Sequence, residues 1–162
     1  MKKIFSILFL LFMSLNVSAD YNRNVSEYNL NSLGQGLIDR VTNTAFDPVA
    51  AFPEGGATAM QGDNAVSYTH EGVEYLFSSE GNRDRFLVNP KKYEPTYGGY
   101  CAFAMASGQK VEIQAKHFLI RGNRIHYFVN SRAKRNFERN FDALEQRADE
   151  NWELISGELP RL

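Results

Sequence analysis

The sequence predicts an α+β fold made of two consecutive hairpin-helix units, and three observations support this prediction. Two segments alternate apolar and polar residues on either side of a tight-turn signal, as β-hairpins do. Each segment runs into a residue type that favours the start of a helix. Aromatic residues of the two segments correspond at one constant spacing. We therefore expect two hairpins that join into one small antiparallel sheet with helices packed on it.

The first unit begins with a predicted strand over residues 66–70, and Glu71-Gly72 signals the turn to a return strand over residues 73–77. Ser78 or Ser79 then supplies a helix N-cap. The helix is predicted to end near residue 88, because the proline of Asn89-Pro90 disfavours helical conformation in the residue before it. We expect Phe86 and Leu87 to anchor this helix in the core.

The second unit repeats this plan around the turn signal Gly122-Asn123, with Asn130 or Ser131 as the cap of one long helix. The apolar face of that helix has helical spacing and consists of Phe137, Phe141, Leu144, Ala148, Trp152 and Ile155. Its opposite face carries both signs of charge, which favours a core-packing helix over a membrane-binding or partner-binding helix. The corresponding residues of the two units are Tyr75, Phe77 and Phe86 in the first and His126, Phe128 and Phe137 in the second.

Residues 1–19 have the layout of a secretory signal peptide. Lys2 and Lys3 precede an apolar run, and Val17-Ser18-Ala19 offers small residues for cleavage after Ala19. The alternative is an uncleaved membrane anchor, but the apolar run is shorter than the about 20 residues that span a bilayer. We therefore expect a periplasmic or secreted mature protein without a membrane span.

The mature chain has the length of one domain, which we divide into an N-terminal extension over residues 20–44 and a domain over residues 45–162. A short amphipathic pattern in the extension predicts a helix or a partly ordered arm packed on the domain. The full chain has 18 Lys and Arg against 19 Asp and Glu, and loss of Lys2 and Lys3 makes it more acidic. This balance argues against nucleic acid or an anionic membrane as partner, since both call for a basic patch.

Cys101 is the only cysteine, so it cannot form an internal disulfide. A buried small hydrophobic residue is one interpretation, because free cysteine is among the most buried residue types. A soft-metal ligand or a thiol that pairs with another protein are the alternatives. Cys101 follows Gly98-Gly99-Tyr100, and glycines let a backbone approach other elements closely. We therefore expect Cys101 to be buried, near aromatic residues of the first hairpin such as Tyr75 or Phe77.

Several motifs between residues 47 and 152 resemble the YHS-domain family in its exported bacterial branch. The residues that carry the resemblance are Asp47-Pro48-Val49-Ala50, Tyr68-x-His70-x-Gly72-x-x-Tyr75-x-Phe77-Ser78-Ser79, Asn82-x-x-x-Phe86, Asn89-Pro90-x-x-Tyr93, Pro95-x-Tyr97-Gly98-Gly99-Tyr100-Cys101-Ala102 and Ala148-Asp149-x-Asn151-Trp152. The resemblance implies a treble-clef or TRASH-like core. It also implies a role in copper or zinc handling, because family members linked to copper-transporting ATPases carry metal-binding cysteines.

This chain departs from that family at the metal-binding positions. Ala50 stands where the first cysteine is expected, and Ser78 and Asn82 stand in the second cysteine region. Copper and zinc favour thiolates or imidazoles, and serine and asparagine are poor ligands for both metals. The resemblance therefore implies the fold more strongly than it implies a metal site.

An alternative metal site would combine His70 and His126, which occupy the two hairpins, with Cys101. If the hairpins pair, two imidazoles and one thiolate suit copper or zinc, and Met60 or Met105 could add a thioether for Cu(I). The competing interpretation is that each histidine has only a packing or hydrogen-bonding role, since the three residues share no short ligand-type spacing.

Tyr93, Tyr97 and Tyr100 are candidates for a ligand pocket, because aromatic rings with polar tips often line such sites. The alternative is that these rings cover the seam between helix and sheet around the Gly-Gly turn. The sequence contains no Ser-His-Asp order, HExxH, P-loop or dinucleotide fingerprint, so no catalytic residue is assigned.

The sequence therefore predicts a periplasmic binding or accessory protein and no catalytic role, with metal handling as the role implied by the resemblance. The alternative is a metal-free structural or protein-interaction module of the cell envelope. A third hypothesis gives Cys101 a thiol-dependent role, such as a mixed disulfide with a partner.

Overall fold

The computed structural model of this chain describes residues 23–159, so the predicted signal peptide lies outside the described residues. The fold is a mixed α+β arrangement with three two-stranded antiparallel sheets and five helices among the described residues. The strands are β1 (Ile38–Asp39), β2 (Thr44–Ala45), β3 (Asp63–His70), β4 (Val73–Phe77), β5 (Gln114–Arg121) and β6 (Arg124–Phe128). The helices are α1 (Glu80–Val88), α2 (Pro90–Tyr93), α3 (Ala102–Met105), α4 (Ser131–Arg139) and α5 (Phe141–Ser156).

The two predicted hairpin-helix units are present and have the same register. In the β3–β4 hairpin Tyr68 faces Tyr75, and in the β5–β6 hairpin Leu119 faces His126, each residue lying 51 positions after its counterpart. Both hairpins contain an irregularity at the corresponding place, between residues 63 and 67 and between residues 114 and 118. The predicted duplication therefore extends to strand register.

The helix caps repeat at the same spacing. The Ser79 side chain accepts a hydrogen bond from the N–H of Asn82, and the Asn130 side chain accepts one from the N–H of Ala133. These bonds satisfy donors that a helix start leaves without an intrahelical partner. The core position of the helices is also conserved between the units, because Phe86 and Phe137 are both fully buried.

The hairpins do not join into the single sheet that we expected. Among the described residues, β3–β4 and β5–β6 are separate sheets. Irregular chain segments, and not the other hairpin, form bridges to β4 and β6. Gly36 donates a backbone hydrogen bond of 2.8 Å to Glu74 of β4. Cys101 forms an isolated parallel bridge with Tyr127 of β6. These segments take up backbone groups that a neighbouring hairpin would otherwise use.

Two helix predictions were also wrong. The long C-terminal helix is broken at Asn140, which ends α4 and begins α5 with φ −131° and ψ 43°. Phe137 and Phe141, on either side of the break, pack edge to face with ring centroids 5.4 Å apart. Leu87 is not an anchor of α1, since it is 44% exposed.

The described part of the predicted extension packs on the rest of the chain, and its only helical segment among the described residues is the short 3-10 turn Val25–Glu27. Residues 38–45 form the β1–β2 pair, which places Leu33 and Val41 in solvent and not on a buried helix face. Tyr28 and Leu37 lie in the main core. The Asn29 side chain donates to the backbone oxygens of Ile38 and Gly99, both at 3.2 Å. The segment therefore contributes buried side chains and backbone contacts to the fold.

Candidate functional site

The Asp47 carboxylate is the centre of a buried hydrogen-bond network. Asp47 is 2% exposed, and its Oδ1 accepts hydrogen bonds from the N–H groups of Val49 at 2.8 Å and Ala50 at 3.2 Å. Its Oδ2 accepts from the N–H of Ser78 at 2.8 Å, the Ser78 hydroxyl at 2.6 Å and the Asn82 amide at 2.7 Å. A buried carboxylate requires such donors to compensate for its lost hydration.

This network joins two segments that are distant in sequence. Ala50 belongs to the Asp-Pro-Val turn, while Ser78 and Asn82 lie where β4 leads into α1. The polar groups turned toward Asp47 are N–H and O–H donors, which bind a carboxylate and not a cation. These residues therefore do not fit copper or zinc, and the Asp47 carboxylate links the two segments through hydrogen bonds.

An open groove of about 460 Å³ adjoins the network and has Ser78 in its wall; its lining residues are Met60, Gln61, Gly62, Asp63, Asn64 and Ser78. The Asp47 N–H donates to the Met60 carbonyl at 2.8 Å, and the Gly62 N–H donates to the Ala45 carbonyl at 3.0 Å. These backbone bonds hold the side of the groove that contains Met60 and Gly62, while the Asp47 carboxylate holds the side that contains Ser78.

The three predicted metal ligands contact different partners. His70 lies on β3, with Nε2 at 3.8 Å from carboxylate oxygens of both Glu71 and Glu94. His126 is fully buried on β6, with Nε2 at 3.1 Å from Glu145 Oε1. Cys101 is fully buried beside Tyr127.

Within residues 23–159 no three side chains of histidine, cysteine, aspartate or glutamate are grouped as a metal site requires. The structure therefore does not bring His70, His126 and Cys101 together as a site. The predicted burial of Cys101 is confirmed. Its backbone bridge, however, is to Tyr127 of the second hairpin, whereas the sequence suggested the first.

The three predicted pocket tyrosines have hydroxyls in different surroundings. Tyr93 donates to Glu54 at 2.8 Å, Tyr97 donates to Asp149 at 2.9 Å, and Tyr100 donates to the Tyr28 carbonyl at 3.4 Å. Burial raises the pKa of the Tyr97 hydroxyl well above its usual range. None of the three lines the groove beside Ser78. Each contact joins separate parts of the chain, as the seam-covering alternative expects.

Sequence reasoning missed two buried clusters of arginine and carboxylate. In the first cluster, Arg23 Nη1 donates to Glu94 Oε1 at 2.6 Å and Nη2 donates to Glu94 Oε2 at 3.2 Å. Arg23 also forms ion pairs with Glu71 at 2.6 Å and Glu158 at 3.8 Å. Burial by itself lowers the pKa of Arg23, but the hydrogen bonds and charge of Glu94 raise it above its usual value.

The second cluster also pairs one arginine with carboxylates, here one aspartate and one glutamate. Arg124 Nη2 donates to Asp149 Oδ1 at 2.5 Å and Nη1 donates to Oδ2 at 3.0 Å, while Nη1 lies 3.1 Å from Glu145. Glu94 and Glu145 are 51 positions apart, as are their neighbours Tyr75 and His126. The aromatic residues of the two units show the same constant spacing in the sequence. Applying that spacing to charged residues would have identified this pair of glutamates.

None of the helices within residues 23–159 is long and apolar enough to cross a bilayer. Comparisons of the chain with protein-family models, with curated proteins and with solved structures found no match.

Proposed function

We propose that this chain is an exported YHS-like module of the cell envelope that binds a partner and needs no structural metal. The observation that carries the proposal is the Asp47 carboxylate, which accepts five hydrogen bonds from the two segments where the resemblance expects cysteines. A treble-clef-like or TRASH-like core is part of the same proposal. It is supported by the hairpin that leads directly into a capped helix in each unit.

The groove beside Ser78 is the proposed binding surface. It is open to solvent, and its polar side chains can donate or accept hydrogen bonds from a ligand or a partner's backbone. Because Ser78 belongs to both the groove and the Asp47 network, the network holds one wall of the groove in place. Asp47 thus acts as a positioning residue for this surface.

Thermal unfolding of the mature protein with and without chelators tests the metal-independent part. EDTA and a Cu(I) chelator should leave Tm unchanged, because N–H and O–H donors of the chain itself hold the Asp47 carboxylate. Asp47→Ala should lower Tm by roughly 10 °C, since it removes a buried acceptor and leaves its donors unpaired. Asp47→Asn should also destabilise, because an amide in place of Oδ2 would face the Ser78 and Asn82 donors. Asp84→Asn, at an exposed carboxylate of α1, is the matched control.

Titration with Cu(I) and Zn(II) under reducing conditions tests the alternative of metal handling. Affinity of micromolar or weaker that is unaffected by His70→Ala, His126→Ala and Cys101→Ser supports the metal-independent module. Tight binding that these variants abolish, or a large loss of Tm on chelation, would replace it with the metal-handling role.

A further inference from the structure

We propose that the first unit contains a guanidinium-binding pocket, which the chain's own Arg23 occupies. The pocket is formed by the nearby Tyr28 and by four residues distant in sequence from its occupant: Glu71, Tyr75, Glu94 and Glu158. The Arg23 side chain is only 7% exposed, so the guanidinium is inserted into the fold and does not lie on its surface.

The contacts match the shape of a guanidinium. Glu94 receives two parallel hydrogen bonds from the Arg23 fork, and the second Nη also reaches Glu71 at 2.6 Å. The Arg23 guanidinium carbon lies 5.2 Å from the centre of the Tyr28 ring, which suits a cation–π contact. An ammonium group cannot reproduce this planar two-pronged pairing, so the pocket should distinguish arginine-type from lysine-type cations.

The walls of the pocket are held independently of the occupant. Glu94 accepts a hydrogen bond from the Tyr75 hydroxyl at 3.0 Å, and Glu158 accepts one from the Tyr28 hydroxyl at 2.7 Å. Both glutamates are buried, with 2% and 3% exposure. Because these carboxylates already have protein donors, they should remain oriented when the guanidinium is absent.

Comparison with the second unit indicates that the arginine in the first pocket comes from outside the hairpin-helix unit that forms it. There the guanidinium comes from Arg124, which is part of β6 and is fixed by the hairpin itself. The corresponding residue of the first unit is Val73, which is buried and has no charge. The first unit therefore takes its guanidinium from a separate segment near the start of the described chain.

The fit of Arg23 leaves one polar group unsatisfied. Its Nε is buried without a hydrogen-bond partner among the described residues, and the nearest Glu158 oxygen is 3.8 Å away. A small guanidinium ligand is not tethered to the chain and can adjust its position. The pocket should consequently accept such a ligand once the Arg23 side chain is removed.

Chemical rescue of Arg23→Ala by ethylguanidinium tests this inference. The variant should lose roughly 10 °C in Tm, because it removes the guanidinium that pairs with the buried Glu94. Ethylguanidinium at ten times its Kd should then raise Tm by about 4 °C in a saturable manner. Ethylammonium should give little rescue, and the wild-type protein should not respond, because its pocket is filled.

Arg83→Ala is the matched control, since Arg83 pairs only with the exposed Asp84 in the described structure. It should show no saturable response. If Arg23→Ala does not fold at 20 °C, recovery of the helical circular-dichroism signal on adding ethylguanidinium becomes the measurement. Equal responses to both cations, an equal response of the wild type, or failure of ethylguanidinium to restore Tm or folding would overturn the proposal. None of these results depends on the chelator test of the Asp47 network.

Discussion

His126 Nε2 lies 3.1 Å from Glu145 Oε1 in the second unit. The first unit repeats this relation with the Tyr75 hydroxyl, which donates to Glu94 Oε1 at 3.0 Å. The two contacts differ in quality, because the His126 ring nitrogens have no well-aligned hydrogen bond among the described residues. The duplicated framework thus places an aromatic side chain against a glutamate twice, with a phenol in one unit and an imidazole in the other.

The Glu145 contact makes the stability of the protein sensitive to acid. Burial raises the pKa of Glu145. The His126 contact and the charge of Arg124 lower it by a larger amount, so the pKa lies below its ordinary value. A lowered carboxyl pKa stabilises the fold above the unfolded-state pKa, about 4.3, and this contribution is lost as pH falls through the folded-state pKa.

Glu145→Gln should therefore reduce the free energy of unfolding at pH 7 and flatten its decline below about pH 4.3. Urea unfolding at a series of pH values measures both effects. Glu150→Gln changes an exposed carboxyl of the same helix and serves as the control. A pH profile of Glu145→Gln parallel to that of the wild type would contradict this linkage.

Truncating the equivalent phenylalanines should be costly in both units. Phe86 packs against Tyr75 and Phe77 with ring centroids 5.1 and 5.2 Å away, and Phe137 packs against Phe128 at 5.4 Å. Phe86→Ala and Phe137→Ala should each cost about 3–5 kcal/mol through lost burial and a residual cavity. Leu87→Ala, next to Phe86 but half exposed, should cost less than about 1 kcal/mol. A small cost for either phenylalanine would show that its unit does not depend on the shared aromatic core.

Alanine substitutions at Gly98 and Gly122 should distinguish the cost of backbone strain from the cost of steric crowding. Both have positive φ, 58° and 63°. A Cβ at Gly98 would lie 2.6 Å from Trp152 Cη2, whereas a Cβ at Gly122 would have no neighbour within 4 Å. Gly122→Ala should cost about 1 kcal/mol for the left-handed conformation, and Gly98→Ala about 3 kcal/mol or more because Trp152 must also move. Equal free energies of unfolding for the two variants would contradict the crowding at Trp152.

Cys101 should behave as a packing residue. Its side chain has no exposed surface, and its backbone N–H donates to the Val111 carbonyl at 2.9 Å. Alkylation of the native protein should be negligible until denaturant is added, and Cys101→Ser should cost about 1–3 kcal/mol because the hydroxyl is buried. Rapid labelling of the folded protein would instead support the thiol-dependent role.

The sequence by itself determined the local elements of this protein. Turn residues, helix caps and alternating apolar positions act over a few neighbours, so both hairpins, the start of α1 at Ser79 and the burial of Phe86 and Phe137 could be predicted. The constant spacing between the units was visible for the same reason. Ala50, Ser78 and Asn82 were singled out through the family resemblance, but the role of Asp47 in joining their segments was not predicted.

Only the tertiary structure decided which distant groups meet. Glu94 lies 71 positions after Arg23, and Asp47 reaches Ser78 across 31 positions, separations for which local periodicity carries no information. Three further features likewise depend on which segment occupies a strand edge or a core site. They are the separate sheets, the break at Asn140 and the path of residues 23–45. Each outcome follows from the need of buried backbone groups and charges for partners, and those partners are known only when the whole chain is packed.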